Sequence, residues 1–238
     1  CCGFESIPAD VAVHESLKHF SEDNIDMSFY LKTKGTISGG TWASFLHSVS
    51  SPNALIKSGK VRSRKTKKYF YSRTFKRWVL IFPVVDKYIV NKSIKSKNNF
   101  KKINFNQYVI QKSFFGMLSL VFGVILVSLL SKIKFFKKEL LKLIPSGNGP
   151  TEKMRAKNWF KVTLISKNKT QTATTTISGG DPGYGETSKF ISEIALAIIL
   201  DKEKLVKEKG ILTPIECAGD ALVKRLKNAG ISIKTEVV

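Results

Sequence analysis

The sequence predicts an α+β fold: a mainly antiparallel sheet with helices on one face, joined by an apolar membrane-associated helix. Three observations carry this. The β-rich runs FKVTLIS and TATTTIS are separated by KNKTQ, which predicts a hairpin over 160–178. In ETSKFISEIALAIILDKEKLVKEKG, residues Phe190, Ile191, Ile194, Ala195, Ile198 and Ile199 recur at three- and four-residue spacing before Gly210, which predicts a helix over 187–209. SFFGMLSLVFGVILVSLLS, residues 113–131, runs for 19 residues without a charge between Lys112 and Lys132. At about 1.5 Å per residue that is just long enough to cross a hydrocarbon core.

The remaining elements follow in chain order. GFESIPADVAVHESLKHF predicts a turn with Pro8 near its end, then a helix capped by Asp10 with Val11, Val13, Leu17 and Phe20 as its apolar positions. IDMSFYLKT alternates as a strand does, placing one near 26–38. GTISGGTWASFLHSVS turns at Gly39 and Gly40 into a short helix carrying Trp42, Phe45 and Leu46. GDALVKRLKNAG predicts a helix over 219–229 with Asp220 as its cap, and ISIKTEVV a closing strand over 231–238. Three domains are expected: 1–56, 57–146 and 147–238.

The net charge of +22 is concentrated in the middle of the chain. Residues 1–56 carry a net −3, residues 57–142 a net +20 and residues 143–238 a net +5. Lysines follow the apolar run at 132, 134, 137, 138 and 142. Upstream, KVRSRKTKKYFYSRTFKRW interleaves basic residues with Tyr69, Phe70, Tyr71, Phe75 and Trp78. Aromatic and cationic side chains in this mixture suit an anionic headgroup layer. Phe114, Leu118, Phe122, Ile125 and Leu129 are the candidate lipid contacts, as a span or as a shallow insertion. A buried core helix is the competing reading of the run. The aromatic–basic mixture would also hold single-stranded nucleic acid, but the apolar run downstream and the lack of a recognition motif disfavour it.

Three cysteines, Cys1, Cys2 and Cys217, form no CxxC and no disulfide framework, which fits a reducing compartment. No signal peptide is visible, and the start at Cys1 reads as a fragment or a processed product. His14, His19 and His47 stand in no hydrolase-like or metal-ligand spacing and read as surface or core histidines; no metal site is expected. The glycine-rich loop SGGDPGYGETSKF, 178–190, matches neither phosphate-loop pattern. Its glycines at 180, 183 and 185 reverse the dinucleotide order, and Glu186 stands where a phosphate lysine would. It reads as a strand-to-helix corner. TISGG occurs twice, at 36–40 and 176–180, each time at such a corner.

CGFESIPAD (2–10), SGGTWAS (38–44), GPTEKMR (149–155), GGDPGYGETSK (179–189) and GILTPIECAGDALVKRLKNAGI (210–231), in this order, resemble the saccharopine dehydrogenase-like oxidoreductases. That group has membrane- or lipid-droplet-associated members and includes proteins described as trans-acting enoyl reductases. The resemblance implies an N-terminal Rossmann domain binding NAD or NADP, then an α+β domain, so residues at the start of this chain would be a remnant of the Rossmann-type domain. Gly3, Phe4, Ser6 and Pro8 would belong to its cofactor-binding junction, with Glu5 and Ala9 departing from the family's Asp and Ser. Gly39, Gly40, Thr41, Gly180, Asp181, Gly183 and Tyr184 are candidates for a substrate cleft. The fingerprint loop is absent from this sequence, so the coenzyme domain of a full-length protein becomes an expected partner. The expectation is the C-terminal part of an NAD(P)-dependent oxidoreductase of lipid metabolism. It would sit on the cytoplasmic side of a membrane, at a lipid droplet or a mitochondrion. The alternative is a non-enzymatic membrane-associated protein that keeps the fold.

Overall fold

The structure is a computed structural model and describes residues 1–21, 24–50, 67–82, 86–96, 100, 102–208 and 210–238. In chain order its elements are α1 (Ile7–Leu17), β1 (Asn24–Lys34), α2 (Gly39–Ser50), β2 (Tyr69–Ser72), β3 (Arg77–Ile81), α3 (Asp86–Lys95), β4 (Lys102–Gln111), α4 (Phe114–Leu130), α5 (Lys134–Leu143), α6 (Glu152–Arg155), β5 (Trp159–Lys167), β6 (Thr172–Gly179), α7 (Gly185–Leu200), α8 (Pro214–Asn228) and β7 (Ser232–Val237). The chain divides into two units, one of residues 1–35, 81–110 and 157–238, the other of residues 36–80 and 111–156.

Unit one is built on strands in the order β4-β1-β5-β6-β7. β1 runs parallel to β4, with Ile25 opposite Ile103 and Tyr30 opposite Tyr108. Every other pairing in this row is antiparallel. Alternation puts Ile25, Met27 and Phe29 of β1, Phe160, Val162 and Leu164 of β5, Ala173 and Ile177 of β6 and Ile233 of β7 into one buried cluster. The same cluster takes in Ile7, Val11 and Val13 of α1, Phe190, Ile194 and Ala197 of α7, and Leu222, Val223 and Leu226 of α8. On the opposite side of the strands Tyr30 and Tyr108 stack at 5.4 Å, and the Lys32 ammonium sits 5.6 Å from the Trp159 ring.

Unit two holds the β2–β3 hairpin and helices α2, α4, α5 and α6. α2 packs on α4 and α5. The Trp42 indole N–H donates to the Leu140 carbonyl at 2.6 Å, and the Lys137 ammonium to the Ser50 hydroxyl at 2.8 Å. Trp78 of β3 meets Phe114 at 5.0 Å between ring centres. Residues 60–66 of the basic–aromatic stretch, and the expected boundary after residue 56, lie outside the described residues.

The predicted fold class needs correction. The architecture is mixed α/β, and the sheet of unit one is mostly antiparallel but includes the parallel β1–β4 pair. No described helix is long and apolar enough to cross a membrane. α4 has 17 residues, about 25 Å at the helical rise, against a hydrocarbon core of about 30 Å. Its ends are closed: the Ser113 hydroxyl accepts from the Gly116 N–H at 3.0 Å, and the chain turns at Ser131. The transmembrane helix is therefore withdrawn. The N-terminal segment, expected as the remnant of a Rossmann-type domain, is instead a core helix of unit one. α1 packs on β5, β6 and β7 and on α3 and α8, because it is apolar nearly all round.

Candidate functional site

The glycine loop joins β6 to α7 in unit one. Phe160 lies opposite Gly179 across the β5–β6 ladder. A Cβ on Gly179 would stand 2.8 Å from the Phe160 ring and 3.1 Å from the Glu186 carboxyl, so only glycine fits. Two carboxylates then organise the turn. Asp181 is buried, and its Oδ1 accepts from the Asn158 side-chain amide at 2.6 Å. Its Oδ2 accepts from the Tyr184 N–H at 2.8 Å and the Gly185 N–H at 3.2 Å. Glu186 folds back so that its Oε1 accepts from the Gly180 N–H at 2.8 Å, while Lys189 pairs with the same carboxylate. Gly183 is exposed and Tyr184 half-buried at the tip of the loop.

This loop meets the N-terminal block. The Phe4 N–H donates to the Thr187 hydroxyl at 3.3 Å, and the Phe4 ring packs edge-on against Phe160 at 4.8 Å. Gly3, Ser6 and Pro8 are buried, and the Ser6 hydroxyl oxygen has no hydrogen-bond partner among the described residues. Two of the sequence motifs, CGFESIPAD and GGDPGYGETSK, are thus one structural neighbourhood. Gly39, Gly40 and Thr41 belong to unit two. There the Ser38 hydroxyl accepts from the Thr41 N–H at 3.1 Å, and the Gly39 N–H donates to the Asn148 carbonyl at 2.9 Å.

Unit one also buries two acids that the sequence does not single out for this role. Asp10, expected as a helix cap, lies inside the first turn of α1 and is 1% exposed. Its Oδ2 accepts from the Ile215 N–H at 3.1 Å, at the start of α8. Burial pushes its pKa up to about 6, against the downward pull of hydrogen bonds from Ser93, Ile215 and Thr213. Asp86 opens α3 and accepts from the Gln107 amide at 2.5 Å. Burial pushes it to about 7, the Gln107 bond opposes this, and the charge of Glu5 adds to it. The other two oxygens of this pair, Asp86 Oδ1 and Gln107 Oε1, are buried with no partner among the described residues. A proton on Asp86 gives the pair the donor it lacks. Sequence spacing carries no sign of this pair, which forms only when α3 and β4 come together.

His14, Glu15 and Asp220 bring potential metal-ligand atoms within 4.8 Å of one another. The Lys18 ammonium already lies 2.5 Å from both carboxylates, and His14 bonds Asp220 at 2.9 Å, so the cluster is an ion-pair network tying α1 to α8. The Asp220 carboxyl is held down at about 2, chiefly by its Lys18 and His14 hydrogen bonds.

A nicotinamide coenzyme needs free backbone N–H groups at a helix start to hold its pyrophosphate. At α7 the loop and first-turn donors of Gly180, Tyr184 and Gly185 are taken by Glu186 and Asp181. At α8 the Thr213–Glu216 capping box and Asp10 take them; at α4 the Ser113 hydroxyl takes that of Gly116. These helix starts do not fit the group, and no chemical step is assigned through it.

No family model matches the chain. A Mycobacterium tuberculosis protein provisionally named a trans-acting enoyl reductase is 36% identical over 115 residues, covering 43% of this chain and 26% of that protein. Trans-acting enoyl reductases of Mycobacterium ulcerans and Mycobacterium bovis are 31% identical over 96 residues and 30% identical over 98 residues. Each match covers 37% of this chain, and 21% and 22% of those proteins. The chain therefore spans about a quarter of the length of the curated relatives it matches. The resemblance to saccharopine dehydrogenase-like proteins is corrected by these names, which are those of enoyl reductases.

Proposed function

We propose that this chain is part of an oxidoreductase of the enoyl-reductase type that works with NADH or NADPH, and that it contributes the substrate side of the enzyme. The observation that carries this reading is the 36% identity over 115 residues to the M. tuberculosis relative. The rigid corner of unit one supports it. Gly183 and Tyr184 stand at the open tip of a loop whose polar groups are bonded to Asp181 and Glu186. A tip held this firmly can position a neighbouring substrate without collapsing onto it. The coenzyme is carried by a partner domain, since the starts of α4, α7 and α8 have the donors named above in use.

The test has two arms. Calorimetric titration of the chain with NADH and NADPH should give no low-micromolar binding. A chimera, in which the chain replaces its matching stretch in the mycobacterial relative, should still oxidise coenzyme with a 2-enoyl thioester. Tight coenzyme binding by the chain alone, or a folded but inert chimera, refutes the reading.

A second reading concerns where this part sits, and a specific observation favours it. Phe115, Leu118, Phe122, Ile125 and Leu129 of α4 are spaced three and four apart and are all exposed, Phe115 at 79% and Phe122 at 64%. Lys132, Lys134, Lys138 and Lys142 are exposed nearby in sequence. We propose that α4 and α5 lie in the plane of an anionic lipid surface, apolar side chains inward and lysines among the headgroups. In flotation assays the chain should rise with phosphatidylserine-containing vesicles and much less with neutral ones. The Phe115→Ser, Phe122→Ser, Leu129→Ser variant should stay at the bottom. A wild-type chain that does not float, or a variant that still does, removes the lipid surface.

A further inference from the structure

β7 ends the row of strands in unit one, bonded to β6 and to no further strand among the described residues. Its free edge can be read residue by residue. Thr172 and Val238 exchange both of their backbone hydrogen bonds, at 2.8 Å each. Such pairs alternate along an antiparallel ladder, so Ser232, Lys234 and Glu236 also turn their backbone groups toward β6. Ile233, Thr235 and Val237 turn theirs outward. A bare edge of this kind is a template for another strand.

Edges are commonly protected by lysine, and Lys234 is exposed here. Glu236 is exposed two residues on, on the same face of the strand. That combination turns a guarded edge into a self-complementary one. We propose that two copies of this chain pair through their β7 edges, antiparallel and centred on Thr235, so that the sheet continues across a twofold axis.

The register follows from the side chains. With Thr235 opposite its own copy, Ile233 lies opposite the second copy's Val237. The outward N–H and C=O groups of Ile233, Thr235 and Val237 are then all used. Lys234 faces the second copy's Glu236 and Glu236 its Lys234. Both are non-hydrogen-bonded pairs, whose Cα atoms stand only about 4.5 Å apart and whose side chains are closest. A slip of two residues one way sets Lys234 against Lys234, and the other way Glu236 against Glu236. Only the centred register pairs opposite charges, and as an isologous contact it closes at two copies.

Sedimentation equilibrium of the full chain tests this. The wild type should reach a dimer, more weakly at high salt. Glu236→Lys should raise the dissociation constant at least about tenfold, since it places lysine against lysine. The double variant Lys234→Glu, Glu236→Lys restores opposite pairs and should restore the dimer. Thr235→Pro removes an outward N–H and leaves the backbone ladder to β6 in place, losing on that side only the Thr235–Thr175 hydroxyl bond, so it should be folded by circular dichroism and monomeric by sedimentation. A monomeric wild type overturns the proposal. So does a Glu236→Lys chain that dimerises as well as the wild type, the result expected if α4 drove association, or a double variant no better than the single one.

Discussion

α1 and α4 are both apolar helices, and the more apolar of the two is the less buried. α1 carries Asp10, Ser16 and Glu15, yet Ile7, Val11, Ala12 and Val13 are at most 2% exposed. α4 carries no charge over 17 residues, and among its side chains only Met117 is buried. The difference lies in what each meets. α1 lies on the β5–β7 strands and between α3 and α8, and its polar groups find partners there: Asp10 at the start of α8, and Ser16 through its hydroxyl at 2.7 Å from that of Ser166. α4 packs on α2, meets Trp78 through Phe114, and leaves Phe115, Leu118, Phe122, Ile125 and Leu129 exposed. Hydrophobicity specifies that a helix will be covered, and the topology around it decides by what.

A matched pair of substitutions breaks this contrast most sharply. Val11→Asp puts a carboxylate where no water or cation reaches it, and should lower the unfolding free energy by about 4 kcal/mol or more. Phe122→Asp makes the same kind of change on the exposed stripe of α4 and should alter it by less than about 0.5 kcal/mol in the absence of lipid. Urea unfolding followed by far-ultraviolet circular dichroism measures both. Similar losses at the two positions would mean that α4 is covered by protein after all.

The same contrast explains what was legible in the sequence. The β5–β6 hairpin forms over residues 159–179, since β-branched alternation and a polar turn are local signals. The helix predicted over 187–209 ends at Leu200. Beyond it the run is lysine-rich, and Asp201 is drawn to Arg225 at 2.5 Å. The helix predicted from Asp220 starts earlier, at Pro214 behind the Thr213–Glu216 capping box. It hides from a periodicity reading because Gly219, at φ 43° and ψ −124°, interrupts it. β4 lies in KINFNQYVIQ, where Ile103, Phe105, Gln107 and Val109 alternate within a strongly basic segment. Its parallel pairing with β1 joins residues 78 positions apart, such as Asp26 and Asn104, and no local pattern announces that. The glycine corner was legible as a corner. Its closure by Asp181 and Glu186, and the Phe4–Thr187 contact, needed the folded chain.

The buried acids give a smaller effect that sharpens the comparison, because a polar group enclosed in unit one has to answer to pH. Asp86 at about 7 and Asp10 at about 6 stand above the unfolded value of 3.8. The native state therefore holds more protons than the unfolded chain between about pH 4 and pH 7, and stability falls as pH rises through that window. It is complete below the unfolded pKa and lost above the folded one, by on the order of a few kcal/mol for Asp86. Asp220, depressed to about 2, acts in the opposite sense, but only as pH falls below about 4. Asp86→Asn keeps the group neutral at every pH. Its amide can accept from Gln107 Nε2 and donate to Gln107 Oε1, which has no partner among the described residues. The variant should be more stable than the wild type at pH 8, about equal to it at pH 4, and should flatten the slope between them. Asp10, raised to about 6, contributes to the slope that remains. A variant with the wild-type slope would show that Asp86 is ionised in the folded protein and that its two unpaired oxygens find their donor in water.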